Sequence, residues 1–303
     1  MELTATSRGR EADPQKTKRF ELTDTEKNPS KTISDLLAEP IHHVWRRQNA
    51  RKVLVLHEHK DEKTLADEIA RLALRHKESG QAVLVFAQKL DDIEKIIRNL
   101  PKGSTLQLTG SLRGLERDAL VKRPIFQRFL PESNRTQELT PAPATVYLVC
   151  TSAGEVGVNI SSDHMACDLS TFDSMTQRLG RVNRFGNRDD SCIDIVHPAE
   201  FGKKDKTGKV KIDERDRRRQ KTLELLKQLN GNASPAAIDK LDSAARVAAF
   251  APTPTILPAT DILFDAWALT TIRGKLPGRP LVEPYLHGIS EWQPPETYQL
   301  LQK

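Results

Sequence analysis

The sequence predicts an α/β domain built on an open, mostly parallel sheet with helices on both faces. Short apolar runs such as Ala82-Val-Leu-Val-Phe86 recur along the chain. Amphipathic spans of helical period separate them, and the runs are apolar throughout rather than alternating, as strands covered on both sides are. At 303 residues the chain can bury a sizeable core in one large or two modest domains.

Residues 1–50 are polar and irregular, and Glu11 to Ser30 has the composition of a linker or disordered arm. Around Ile33 to Trp45 a short helix fits the pattern. The α/β domain is expected over residues 51–200. It opens on the strand Lys52 to His57, followed by a helix whose apolar face carries Leu65, Ile69, Leu72 and the ring of His76, closed by Gly80. Strand Ala82 to Phe86 leads to a helix showing Leu90, Ile93, Ile96, Ile97 and Leu100 before the Pro101 to Gly103 break. Then come strand Thr105 to Thr109, a helix near Leu115 to Phe129, strands Thr145 to Cys150 and Met165 to Asp168, a helix over Thr171 to Leu179 and strand Cys192 to Val196.

Residues 201–303 read as a basic, partly helical C-terminal extension. Within 203–221 ten Lys or Arg stand against four Asp or Glu, which suits either a phosphate-contacting surface or a solvated helix with a basic flank. Leu223, Leu226 and Leu229 continue that helix, another is expected over 236–250, and APTPTILPA reads as a linker or an extended strap. Trp267 and Trp292 lie among prolines in a tail whose fold the pattern does not give.

The whole chain carries +6 at pH 7, which permits a polyanionic partner without requiring one. Three scattered cysteines with no CxxC pair suggest a reduced, cytoplasmic protein with neither a disulfide framework nor a zinc site. No apolar run has the length of a membrane span or a secretory signal, so no membrane partner is expected.

Chemistry concentrates in Cys150-Thr-Ser-Ala-Gly-Glu-Val-Gly-Val-Asn-Ile160 and in Gln177-Arg-Leu-Gly-Arg-Val-Asn-Arg184. Two glycines just after a strand, Gly154 and Gly157, let the backbone turn sharply and bring its amides against a phosphate or sugar, although turn formation alone would also explain them. Arg181 and Arg184 are three apart, so on a helix or a tight turn leaving it they can point the same way and clamp a phosphate with planar, permanently charged groups. These blocks resemble motifs V and VI of superfamily 2 helicases, the second matching the pattern QRxGRxxR without a gap. The resemblance implies a RecA-like fold and assigns roles. Arg181 and Arg184 look like arginine fingers offered to ATP on another lobe. Gln177, Gly157 and Asn159 lie near the nucleotide, Thr151 and Ser152 contact the bound strand, and Arg178 is oriented by an acidic partner.

Upstream, AVLVFAQ ending at Gln88 resembles motif IV, and in LTGSLRGLERD the residues Thr109, Ser111 and Arg113 are candidate strand contacts, with Arg117 supporting the interface. Together with the later PATDILFDAWALTT, these segments are similar to the CRISPR-associated helicase of type I interference systems. That likeness implies a first RecA-like lobe, single-stranded DNA, an HD nuclease domain and an RNA-guided surveillance complex as partners, with ATP and Mg2+ as cofactors of the two-lobe enzyme.

No Gly-Lys is followed by Ser or Thr, Gly208-Lys209 and Gly274-Lys275 for example preceding Val and Leu, and no His-Asp dipeptide occurs among the eight histidines. The chain alone is therefore expected to hydrolyse no ATP and cut no DNA, whether as a fragment, a truncated product or one part of a split enzyme. Two other readings fit the same residues: a binding or scaffold module that has lost turnover, and a lobe of an RNA helicase.

Overall fold

The computed structural model describes residues 43–110, 114–131, 134–135, 144–155, 159–204, 210–252, 259–268, 282 and 285. Six parallel strands form the main sheet: β1 (Val53–His59), β2 (Ala82–Phe86), β3 (Thr105–Leu108), β4 (Val146–Cys150), β5 (His164–Asp168) and β6 (Cys192–Pro198). They lie in the order β1-β6-β5-β2-β4-β3, with parallel register throughout. β2 and β5 are central, which explains why both are buried along their whole length.

Successive side chains of each strand serve opposite layers. On one face Val83, Val85, Tyr147 and Val149 pack under α2 (Leu65–Leu74) and α3 (Leu90–Asn99), where Ile69, Leu72, Ile93 and Ile96 are fully buried. On the other face Leu84, Phe86, Leu148, Met165 and Ile195 meet Phe126, Phe172, Met175 and Leu226.

Several expected elements differ in detail. Leu90 is 53% exposed rather than part of the apolar face, because α3 begins three residues after β2 and its first turn stays at the rim of the sheet. The helix expected near 115–129 is two, α4 (Gly114–Val121) and α5 (Pro124–Gln127); Pro124 lacks the N–H that would continue the first and starts the second. After α6 (Phe172–Leu179) and β6, the core runs on past residue 200. α7 (Glu214–Gln228) buries Leu223, Leu225 and Leu226 against the sheet. The span 236–250 divides into α8 (Pro235–Asp239) and α9 (Ser243–Ala248), because the Asp242 carboxylate caps the Ala245 amide and opens a new helix. Asp261–Ala268 forms α10, which contains Trp267. Trp292 and most of the proline-rich strap lie outside the described residues.

The basic stretch runs on into α7, where two of its arginines are paired. Arg218 pairs with Glu214 at 2.6 Å, and Arg219 pairs with Asp216 at 2.8 Å while donating to the Leu169 carbonyl. These two side chains are thereby satisfied within the fold, without a phosphate ligand. Among the described residues no helix is long and apolar enough to cross a membrane.

At the start of β5 the His164 ring is 3% exposed and stacks on His76 at 3.8 Å between centroids. Its Nδ1 accepts from the Cys192 amide at 3.1 Å, so the proton sits on Nε2, which donates to Gln81. Burial, reinforced by His76, pushes its pKa down to about 4. An unfolded histidine titrates near 6.5, so between these values the unfolded chain binds more protons. Stability is therefore whole above about pH 6.5 and falls as the pH drops towards 4, by on the order of 3 kcal/mol. Urea midpoints measured across that range should decline, and His164→Asn, which cannot titrate, should flatten part of the decline.

Candidate functional site

Arg178, on the buried side of α6, is 1% exposed. Its Nε donates to Glu155 Oε1 at 2.7 Å, and Nη1 donates to Asp168 Oδ1 at 2.8 Å and to the Asp168 carbonyl at 3.0 Å. The guanidinium also lies 4.9 Å over the Phe86 ring. Burial alone would lower its pKa, but the Asp168 and Glu155 carboxylates outweigh burial and raise it. Arg178 is thus a permanently charged peg between the turn after β4 and the end of β5. Ser174 donates to the same Glu155 oxygen at 2.7 Å, and the Gln88 amide donates to Asp168 Oδ2 at 3.0 Å. The ends of β2 and β5, the turn after β4 and helix α6 therefore converge on one buried ion network.

The turn itself requires glycine at 154. A Cβ there would come within 2.8 Å of Cys150 Cβ and Sγ. Thr151 precedes this turn as its N-cap, its hydroxyl accepting from the Ala153 amide, and its own amide donates to Leu108 at the end of β3. Thr151 is half-buried and Ser152 exposed, whereas Thr109 beside them is 1% exposed and offers little surface to a strand. Asn159 is exposed and Gln177 half-buried. Gly157, Ser111, Arg113 and the Arg117 side chain lie outside the described residues.

Helix α6 ends at Leu179, so Arg181 and Arg184 stand on the turn that follows it, in which Asn183 takes φ 43°. They do not project alike. Arg181 is 7% exposed and donates to the Glu155 carbonyl, because that carbonyl is the acceptor the sharp turn presents to it. Arg184 is half-buried; its backbone amide donates to Ser161 Oγ, and among the described residues its guanidinium has no hydrogen bond or ion pair.

Lys52 is a third cation here, 3% exposed, with Nζ donating to the Leu179 carbonyl at the end of α6 at 2.9 Å. Burial, followed by repulsion from Arg184, pulls the Lys52 pKa down to about 8. Arg184 is itself lowered by burial and then by Arg47, and Arg181 by burial and then by Arg184. Two buried cations and the half-buried Arg184 thus stand near enough to repel one another, an arrangement whose charge an anion would offset.

Sequence reasoning expected an acidic partner for Arg178, and it is two carboxylates. Asp168 could have been suspected from its place at the end of the apolar run MACD, where a charged residue needs a partner. Lys52, at the start of an apolar strand, carried no signal that its head group reaches a helix 127 residues away. Among the described residues, no group of three or more His, Cys, Asp or Glu is placed to hold a metal ion.

Residues 79–187 match the family described as CRISPR-associated nuclease/helicase Cas3, C-terminal, a span that runs from just before β2 to just past the turn bearing Arg184. No curated protein matches the chain. Among solved structures, T. fusca Cas3 with ATP is similar at 14% identity, covering 64% of this chain and 24% of that one, with a TM-score of 0.48. The C-terminal domain of the DEAD-box protein Dbp5 is similar at 19% identity over 60% of this chain and 87% of that one, with a TM-score of 0.38. A CRISPR-associated protein is similar at 16% identity over 73% of this chain and 24% of that one, with a TM-score of 0.44. The chain thus spans about a quarter of the T. fusca Cas3 chain it resembles.

Replacing Arg178 by Met keeps much of its length but leaves Glu155 and Asp168 buried without their cation. That substitution should destabilise the fold by about 3–5 kcal/mol, read as a large fall in melting temperature by circular dichroism. A change below about 1 kcal/mol would mean that the network contributes no net cohesion.

Proposed function

We propose that this chain works as the second motor lobe of an ATP-dependent DNA translocase of CRISPR interference. In that reading it offers Arg184, with Arg181 behind it, to a nucleotide held by a first RecA-like lobe. The observation that carries the proposal is the Arg184 guanidinium, half-buried and without an anionic partner among the described residues, on a turn pegged through α6 to the Arg178 network. Supporting it is the family match over residues 79–187.

The residues fit half of a nucleotide site. Two guanidinium groups suit the spread of negative charge over the transferring phosphoryl oxygens, whereas a loop to cradle the phosphates and a carboxylate for Mg2+ would come from the first lobe. Gln177 and Asn159 would stand beside the nucleotide, with Gly157 in the same segment. Thr151 and Ser152, exposed or half-exposed at the end of β4, would contact the DNA backbone; Thr109 would act through them, being itself buried. Hydrolysis would be coupled to closure of the lobes on single-stranded DNA. An HD nuclease domain and an RNA-guided surveillance complex would complete the assembly.

Burial of Arg181 favours a second reading, a strand-binding module without turnover, because a side chain bonded to the Glu155 carbonyl of its own domain is not free to follow a reacting phosphate. ATPase assays separate the two. Mixing the chain with a first lobe should give DNA-stimulated ATP hydrolysis, and Arg184→Ala should lower that rate about a thousandfold or more while leaving strand affinity within a few-fold. A mixture that binds DNA but hydrolyses no ATP, or an Arg184→Ala mixture as fast as wild type, contradicts the motor reading.

A further inference from the structure

The turn that bears Arg184 is covered by the helix that precedes the sheet, α1 (His43–Gln48). Gly186 takes φ +68°, and a Cβ there would lie 2.3 Å from the Arg46 carbonyl oxygen, so only glycine lets the helix settle this closely. Asn183 ties the following segment down, its Nδ2 donating to the Arg51 carbonyl at 3.0 Å and to the Arg188 carbonyl at 2.7 Å. With the helix seated, the Arg47 guanidinium lies 5.1 Å over the ring of Phe185, the residue next to Arg184. Arg46 Nε is buried in the same helix with no hydrogen-bond partner among the described residues.

This packing brings positive charge towards a place that already holds too much of it. Arg47 lowers the Arg184 pKa by repulsion, and Arg184 in turn repels Lys52 and Arg181. Stacking on Phe185 offsets part of that repulsion and fixes the direction of the guanidinium. A glycine-dependent contact that seats Arg47 over the residue next to Arg184 fits a ligand carrying more negative charge than Arg184 alone would match.

We infer that Arg47 is a further phosphate-binding residue, delivered by α1 over Phe185 to the anion that Arg184 faces. The ligand class is a polyphosphate, such as the terminal phosphates of a nucleoside triphosphate. The inference rests on the nucleotide-facing role proposed for Arg184 and adds to it a residue outside the span 79–187 that matches the family. It also gives residues 43–48 a task, that of a strap which completes the anion site when docked.

The test titrates inorganic tripolyphosphate into the full chain at low ionic strength by calorimetry, comparing wild type with Arg47→Gln, Arg47→Lys and Arg184→Gln. Arg47→Gln should weaken binding about tenfold, Arg184→Gln by at least as much, and Arg47→Lys by only a few-fold because the charge remains. If Arg184→Gln weakens binding while Arg47→Gln stays within twofold of wild type, the role of Arg47 is overturned and the reading of Arg184 survives. Equal losses for Arg47→Gln and Arg47→Lys would also overturn it, since the effect would then come from displacement of the helix rather than from charge. No tripolyphosphate binding, or none that depends on Arg184, would overturn both.

Discussion

The structure depends on one buried cation. Arg178 takes its charge into the sheet's edge only because Glu155 and Asp168 are both there to receive it, at 2.7 and 2.8 Å. An unpaired guanidinium at that depth would cost several kcal/mol, and two unpaired carboxylates would cost as much again, so the three groups are stable only together. They come from three separate pieces of chain: helix α6, the turn after β4 and the last residue of β5. Their meeting fixes the relative position of segments that contact between strands alone would leave free to slide.

What that network positions is the turn that carries Arg181 and Arg184. Glu155 holds Arg178 with its side chain and Arg181 with its carbonyl, so a single residue sets both the peg and the first arginine of the turn. Arg184 follows with its backbone held by Ser161 and its guanidinium unpaired among the described residues. The Arg178 network closes on itself, one cation between two carboxylates, whereas the Arg184 guanidinium beside it has no ion pair among the described residues. That contrast distinguishes scaffold from site: the first group satisfies itself, and the second is where the proposed nucleotide would supply the missing charge.

Much of this was legible in the sequence. Continuous apolar runs gave the six strands of the main sheet within one or two residues, since β2 is apolar over its whole length and lies centrally between β4 and β5. The spacing of Ile93 and Ile96 gave the buried face of α3, but periodicity could not say that Leu90 lies at the rim. The segments of the site were visible as motifs, and the need of Arg178 for an acidic partner followed from its charge. The difference in exposure between Arg181 and Arg184 was not legible. It depends on which carbonyl the turn after β4 presents, a matter of tertiary geometry rather than of spacing. Lys52 and Arg47 were hidden for the same reason, since a long side chain's reach across the fold leaves no local pattern.

The most direct test of the central claim is amide hydrogen exchange across the turn after α6, wild type against Glu155→Gln. If the Arg178 network sets that turn, the amides of Val182 and Asn183, which donate to Leu179 and Ser162, should lose about tenfold or more of their protection. The amides of α2, on the opposite face of the sheet, should keep theirs. Unchanged protection at Val182 and Asn183 would contradict the account, because the turn would then hold its shape without the buried ion network.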